Sequence, residues 1–111
     1  MKSIQSTEEF QRLIQGEKYF CAVFSAEWCP DCRVIKAVLP GLEEEYGDRF
    51  DFAVVDRDQF AGIAEEHQVL GIPSFIVFRG GRVVDTFIST LRKTRMEITR
   101  FLDKAVSHGP G

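Results

Sequence analysis

The chain has 111 residues, 44% of them hydrophobic and 28% charged, enough to build the core of one domain and too few for a second. A formal net charge of −3 argues against nucleic acid as a main partner, and no apolar run reaches the length of a membrane span. Acidic and basic side chains number 14 and 7 over residues 1–66 but 3 and 7 over 67–111, an asymmetry that reads as differently charged solvated faces.

Met1-Lys2-Ser3 leads straight into a polar helical pattern, so no secretory signal is expected, and three cysteines then suit a reducing cytoplasm. Ser6 with Glu9 three residues on is a helix start, and Phe10, Leu13 and Ile14 supply an apolar face that Gly16 ends. Residues 19–25 (YFCAVFS) are continuously apolar and short, the pattern of a strand buried on both faces. From Cys29 a helix is expected to about Tyr46, with Val34, Ile35, Val38, Leu39 and Leu42 facing inward and Pro40 kinking it.

Phe50 to Val55 is the next strand, and Asp58 is expected to cap a short helix through Ile63 and Ala64 to about His67. Residues 74–78 (SFIVF) form another strand, and Gly80-Gly81 followed by Val83 to Ile88 completes a hairpin. A last helix, about Lys93 to Val106, is expected to bury Met96, Ile98, Phe101 and Leu102 in part. The domain then spans 1–106, with 107–111 a flexible tail. Strands alternating with helices and closing on a hairpin describe an α/β fold, a mixed sheet between helices, with sites expected at the carboxyl ends of its strands.

Trp28-Cys29-Pro30-Asp31-Cys32 stands at such a place, after a strand and at the start of a helix. The i, i+3 spacing puts both sulfurs on one side of the first turn, within reach of a disulfide. Unpaired N–H groups and the positive dipole end there favour a thiolate, the species that attacks disulfides. The same spacing also serves half of a zinc site, or two merely buried cysteines. Cys21, mid-strand and facing the same way as Val23, reads as a small buried hydrophobe. His67 reads as a capping or surface residue.

Four features in order make the chain resemble the thioredoxin family along nearly its whole length. They are residues 24–32 (FSAEWCPDC) after a strand, the kinking Pro40, residues 71–74 (GIPS) before a strand, and the Gly80-Gly81 hairpin. WCPDC is similar, more narrowly, to small single-domain members from Gram-positive bacteria and to a eukaryotic member that reduces small disulfides. The resemblance implies a central mixed sheet of about five strands sandwiched by about four helices. It implies a thiol–disulfide oxidoreductase with Cys29 as exposed nucleophile and Cys32 as buried resolving thiol, and a cis Ile72–Pro73 bond whose loop faces them. It implies no cofactor beyond the redox-active Cys29–Cys32 pair and no metal. The implied partners are protein or small-molecule disulfides and an upstream reductase or thiol pool. A monomer is expected, since the site must stay open.

Within that frame Pro30 takes the first helical position, where its missing N–H costs nothing. Trp28 is a flat apolar wall for substrate or a half-buried packing residue. The Ile72 backbone, held by Pro73, can pair with an extended substrate as an added strand. Two departures matter. Asp31 sets a carboxylate between the cysteines and opposes thiolate formation by like-charge repulsion. Val23 stands where the family carries a buried aspartate, so the Cys32 proton needs another acceptor, with Asp31, Glu27 or water as candidates. The hairpin running into Ser89-Thr90, where the family has a glycine, implies a narrower or more polar groove. Two rival readings remain open: a metal-binding CxxC protein, short of the four ligands a closed zinc site needs, and a non-catalytic adaptor docking partners through Trp28 and Ile72.

Overall fold

The computed structural model describes residues 1–88 and 93–108. Its elements in chain order are β1 (Lys2–Ser3), α1 (Thr7–Ile14), β2 (Tyr19–Ser25), α2 (Pro30–Lys36), α3 (Leu39–Tyr46), β3 (Phe50–Asp56), α4 (Ala61–Glu66), β4 (Ser74–Arg79), β5 (Arg82–Phe87) and α5 (Arg95–His108). The strands form one sheet in the order β1-β3-β2-β4-β5. β1 and β2 run parallel to β3, whereas β4 is antiparallel to both β2 and β5.

β2 lies at the centre of the sheet and, like its neighbour β4, has no polar face to give to water. Its alternate residues enter two different cores, as the two-residue period of a strand requires. Cys21 and Val23 join Phe52, Phe75 and Val77 under α2, α3 and α5, through Ile35, Leu42, Ile98 and Leu102. Phe20, Ala22 and Phe24 join Ala53, Ile76 and Phe78 under α1 and α4, through Phe10 and Ile63. Each fully buried Phe or Leu contributes about 1.5–3 kcal/mol of apolar burial, and the phenylalanines are shared between the two cores.

Local rules hold at both ends of this layout. Ser6 caps α1, its Oγ accepting the Glu9 N–H at 3.1 Å, while Glu9 reaches back to the Gln5 N–H at 2.7 Å. Gly80 and Gly81 have φ of +57° and +86° between the paired Arg79 and Arg82, a two-residue turn that side-chain-bearing residues resist. Their N–H groups donate to the Gly16 and Ile14 carbonyls, tying the hairpin to the end of α1.

Several expectations change. The helix from Cys29 is two helices: α2 stops at Lys36 and α3 starts at Leu39, because Pro40 has no N–H to continue the ladder. Among the described residues there are therefore five helices where about four were expected, and Val34, on the two-turn α2, is 49% exposed. Met96 is 62% exposed, since Ile98, Phe101, Leu102 and Ala105 define the inward stripe of α5 and Met96 lies about 200° away from Ile98. β1 was not legible as a strand; two residues exist as one only because β3 offers a parallel edge at Ala53 and Val54. His67 is the C-cap of α4, as expected of a helix end, and its ring also packs edge-on against Phe10 and Phe78, at centroid distances of 6.0 and 5.2 Å. α5 runs to His108, past the expected domain end at 106. Ser89-Thr90, and residues 109–111 of the expected tail, lie outside the described residues.

Candidate active site

The carboxyl end of β2 passes through Ala26 into a turn closed by the Cys29 N–H donating to the Ala26 carbonyl at 3.2 Å. Cys29 is the N-cap of α2, with extended backbone (φ −82°, ψ 117°), and Pro30 is the first helical residue. A cap side chain points back over the first turn, and here that side chain is a thiol. Cys29 Sγ accepts the Cys32 N–H at 3.3 Å. The helix end that ordinarily binds a serine or aspartate oxygen is thus spent on sulfur, which stabilises negative charge there.

The opposite wall is the loop before β4. Ile72–Pro73 is a cis bond, and the Ser74 hydroxyl donates to the Gly71 carbonyl. This loop sets the Ile72 carbonyl 3.8 Å from Cys29 Sγ, and Ile72 packs on the small cluster of Ala26, Cys29 and Cys32. Residues 43 positions apart in the chain therefore meet at the sulfur. Both thiols are free.

Exposure does not separate the two cysteines as expected. Cys29 and Cys32 are 5% and 4% exposed, because Ile72 covers the pair, so Cys29 is not an open nucleophile in this state. Hydrogen bonding separates them instead. Burial pushes the Cys32 thiol up, a hydrogen bond with Cys29 adds to this, and interactions with Ser25 and the Ala26 backbone partly offset it. The net direction at Cys32 is upward, so that thiol holds its proton more tightly than an ordinary one. Cys21 lies deeper still, at 0% exposure, where burial alone drives its thiol far above the ordinary value.

Trp28 is 57% exposed rather than half-buried. Its Nε1–H donates to Asp58 Oδ2 at 2.7 Å, which fixes the indole beside the cysteines. Asp58 therefore does not cap α4. The N-cap of that helix is Phe60, which offers no side-chain cap, and Asp56 Oδ1 accepts the Asp58 and Gln59 N–H groups. Asp31 lies in the first turn of α2, and Glu27 is exposed with its carbonyl accepting from Arg33 Nε at 3.0 Å. Val23 is 1% exposed among apolar residues. Among the described residues, no three His, Cys, Asp or Glu side chains gather as a metal site would need.

One residue escaped the sequence reading. Lys93, expected only as the approximate start of the last helix, is 2% exposed, with Nζ 5.3 Å from the Phe87 ring centroid. Desolvation by burial pulls its proton affinity below the ordinary lysine value, and nearby acidic groups partly offset this. No local pattern marks a buried lysine, since a lysine before a helix is ordinarily solvated.

The comparisons agree with this geometry. The Thioredoxin family model matches residues 2–104. A horse thioredoxin is 37% identical over 101 residues, covering 89% of this chain and 94% of that protein. A thioredoxin from Alicyclobacillus acidocaldarius is 33% identical over 88 residues, covering 79% and 84%. Among solved structures, Plasmodium falciparum thioredoxin superposes with a TM-score of 0.84 at 25% identity, covering 94% of this chain and 98% of that one. Trypanosoma brucei brucei thioredoxin gives 0.83 at 25% identity, covering 95% and 89%. Among the described residues no helix is long and apolar enough to cross a membrane. With the fold, the capped CxxC and these relatives in agreement, the chain belongs to the thioredoxin family and is a thiol–disulfide oxidoreductase.

Proposed function

We propose that the chain works as a dithiol reductant, with Cys29 as attacking sulfur and Cys32 as resolving sulfur. The observation that carries this assignment is the Cys32 N–H held on Cys29 Sγ at 3.3 Å, which lowers the cost of a thiolate at Cys29 and not at Cys32. Cys29 Sγ attacks a substrate disulfide, releasing one substrate thiolate and leaving a mixed disulfide. Cys32 Sγ then attacks Cys29 Sγ, forming the Cys29–Cys32 disulfide and releasing the second substrate thiolate. Both electrons come from the two enzyme thiols, so no cofactor is needed.

Substrate docks along the loop facing the pair. The Ile72 carbonyl already lies against Cys29 Sγ, and an extended peptide pairing with the Ile72 backbone would displace the cover over the sulfur. Trp28, anchored by Asp58, forms the apolar wall. Disulfides of proteins, and of small thiols, fit this open edge, and a reductase or thiol pool regenerates the dithiol. The chain acts as a monomer in the cytoplasm.

A Cys32→Ser variant tests the assignment, because it stops the cycle after the first step. Incubated with an oxidised protein substrate, it should accumulate a mixed disulfide through Cys29, read by mass spectrometry. A mixed disulfide through Cys32 in the Cys29→Ser variant, and none through Cys29, would reverse the roles. Redox titration of the parent pair decides direction: a midpoint near roughly −270 mV supports a reductant, and one near roughly −180 mV an oxidase or isomerase.

A further inference from the structure

The Ile72 carbonyl meets Cys29 Sγ across 43 positions of chain, and the loop that carries it has few main-chain means of staying there. Pro73 has no N–H to give, and strand pairing begins only at Ser74, opposite Phe24. Gly71 and Pro73 are nonetheless buried. A buried carbonyl at Gly71 requires a donor, because leaving it without one costs as much as losing a hydrogen bond. The Ser74 hydroxyl is that donor.

Ser74 is itself 0% exposed, and its place in the strand does not call for a hydroxyl. Phe75 enters one core and Ile76 the other, so Ser74 shares the face of Ile76 and of Phe24, its partner on β2. That face is apolar, and an alanine would suit it without any polar group to satisfy. The hydroxyl therefore serves the loop and not the sheet. Its bond to Gly71 closes residues 71–74 into a turn that contains Ile72. Ile72 packs both on Ala26, Cys29 and Cys32 and on the core under α1 and α4, so a shift of the turn reaches the sulfur directly.

We propose that Ser74 is a positioning residue that acts on Cys29 through Ile72. The inference rests on the roles given above to Cys29 and to the Ile72 backbone. With the Ser74 hydroxyl on the Gly71 carbonyl, the Ile72 carbonyl stands against Cys29 Sγ, and the Ile72 backbone presents a fixed edge to an extended substrate. Without that bond the Gly71 carbonyl turns toward another donor and carries the adjoining Ile72 peptide off the sulfur. The two results have opposite signs. The cover that keeps Cys29 at 5% exposure loosens, and a small reagent gains access. A protein disulfide loses a preformed edge and docks less well.

The test is Ser74→Ala in the full chain, read in two ways. In steady-state reduction of insulin, with dithiothreitol as recycling thiol, KM should rise about 5-fold while kcat stays within about 2-fold, the pattern of one lost docking interaction. In alkylation of the reduced protein by iodoacetamide, Cys29 should label about 3-fold faster through local opening of the loop. Cys21, at 0% exposure, should stay unlabelled without denaturant. Ser74→Thr keeps the hydroxyl and should match the parent in both assays. An unchanged KM in Ser74→Ala, a fall in kcat alone, or a Ser74→Thr variant that behaves like Ser74→Ala overturns the proposal. Cys21 labelling in Ser74→Ala also overturns it, since that marks general loosening of the fold and not a displaced loop. Insulin reduction that survives in Cys29→Ser overturns instead the cysteine assignment.

Discussion

Cys21 and Cys29 are eight positions apart, both nearly sealed from solvent at 0% and 5% exposure, and chemically opposite. Cys21 sits mid-strand, where every backbone N–H belongs to the sheet and the neighbours are Val23, Phe52 and Val77. Nothing there can share a negative charge, so burial acts alone and the thiol stays protonated. Cys29 sits where a strand has ended and a helix has begun, and the free N–H of Cys32 falls on its sulfur. Burial by itself does not make a cysteine reactive or inert. The supply of unspent backbone donors does, and that supply is found at element ends.

The comparison breaks most decisively if the two positions exchange importance. Cys29→Ser should abolish disulfide reduction, whereas Cys21→Ala should retain parent turnover and lose only about 1–2 kcal/mol of stability from the emptied site. Alkylation of the reduced protein at neutral pH, read by peptide mass spectrometry, should label Cys29 first, Cys32 more slowly, and Cys21 only in denaturant. Cys21 labelling at a rate near that of Cys29 would erase the distinction.

A thermodynamic version is smaller in effect. The folded Cys21 thiol holds its proton well above the ordinary thiol value of 9.0, whereas the unfolded chain releases it there. The folded state thus binds more protons above pH 9, so the stability that burial of the neutral thiol contributes is intact below that pH and declines above it. The decline should approach about 1.4 kcal/mol per pH unit for this one group, and Cys21→Ala should remove that part of the slope in denaturant titrations at several pH values.

Two further changes probe what surrounds Cys29. Asp58→Ala removes the acceptor of the Trp28 indole, a hydrogen bond of about 0.5–1.5 kcal/mol, and should raise KM for a protein disulfide a few-fold with kcat little changed. Indole fluorescence reports the release directly. Asp31→Asn should speed Cys29 alkylation at neutral pH by about 2–3-fold, the size of one partly solvated like charge. A slower rate would mean that Asp31 assists Cys29 rather than opposing it.

Legibility of the site followed distance along the chain. Cys29, Pro30 and Cys32 lie within four residues, and the roles of cap, first helical residue and N–H donor follow from backbone geometry that those residues carry with them. Ile72 was reachable only through resemblance, since spacing alone does not reveal that a loop 43 residues on will face a sulfur. Asp58 was misread for a related reason. The local rule offered it a helix to cap, but the indole of Trp28, 30 positions away, competed for the carboxylate and holds it at 2.7 Å. Lys93 is the extreme case: its own neighbourhood in sequence is that of a surface lysine, and only the placement of α5 against β5 buries it.

The amino-acid sequence by itself determined the α/β class, the four long strands, the starts of α1 and α2, the Gly80-Gly81 turn and the thiol pair at a strand's end. Each of these depends on periodicity, capping or φ preference within a few residues, where the backbone's own sterics and hydrogen bonds decide. Tertiary structure alone decided that Lys2–Ser3 would be a strand, that Met96 and Val34 would face water, and that Cys29 would lie covered under Ile72. It also buried Lys93 against the Phe87 ring. Those outcomes turn on which surfaces meet, and a surface's partner is chosen by packing the whole chain at once.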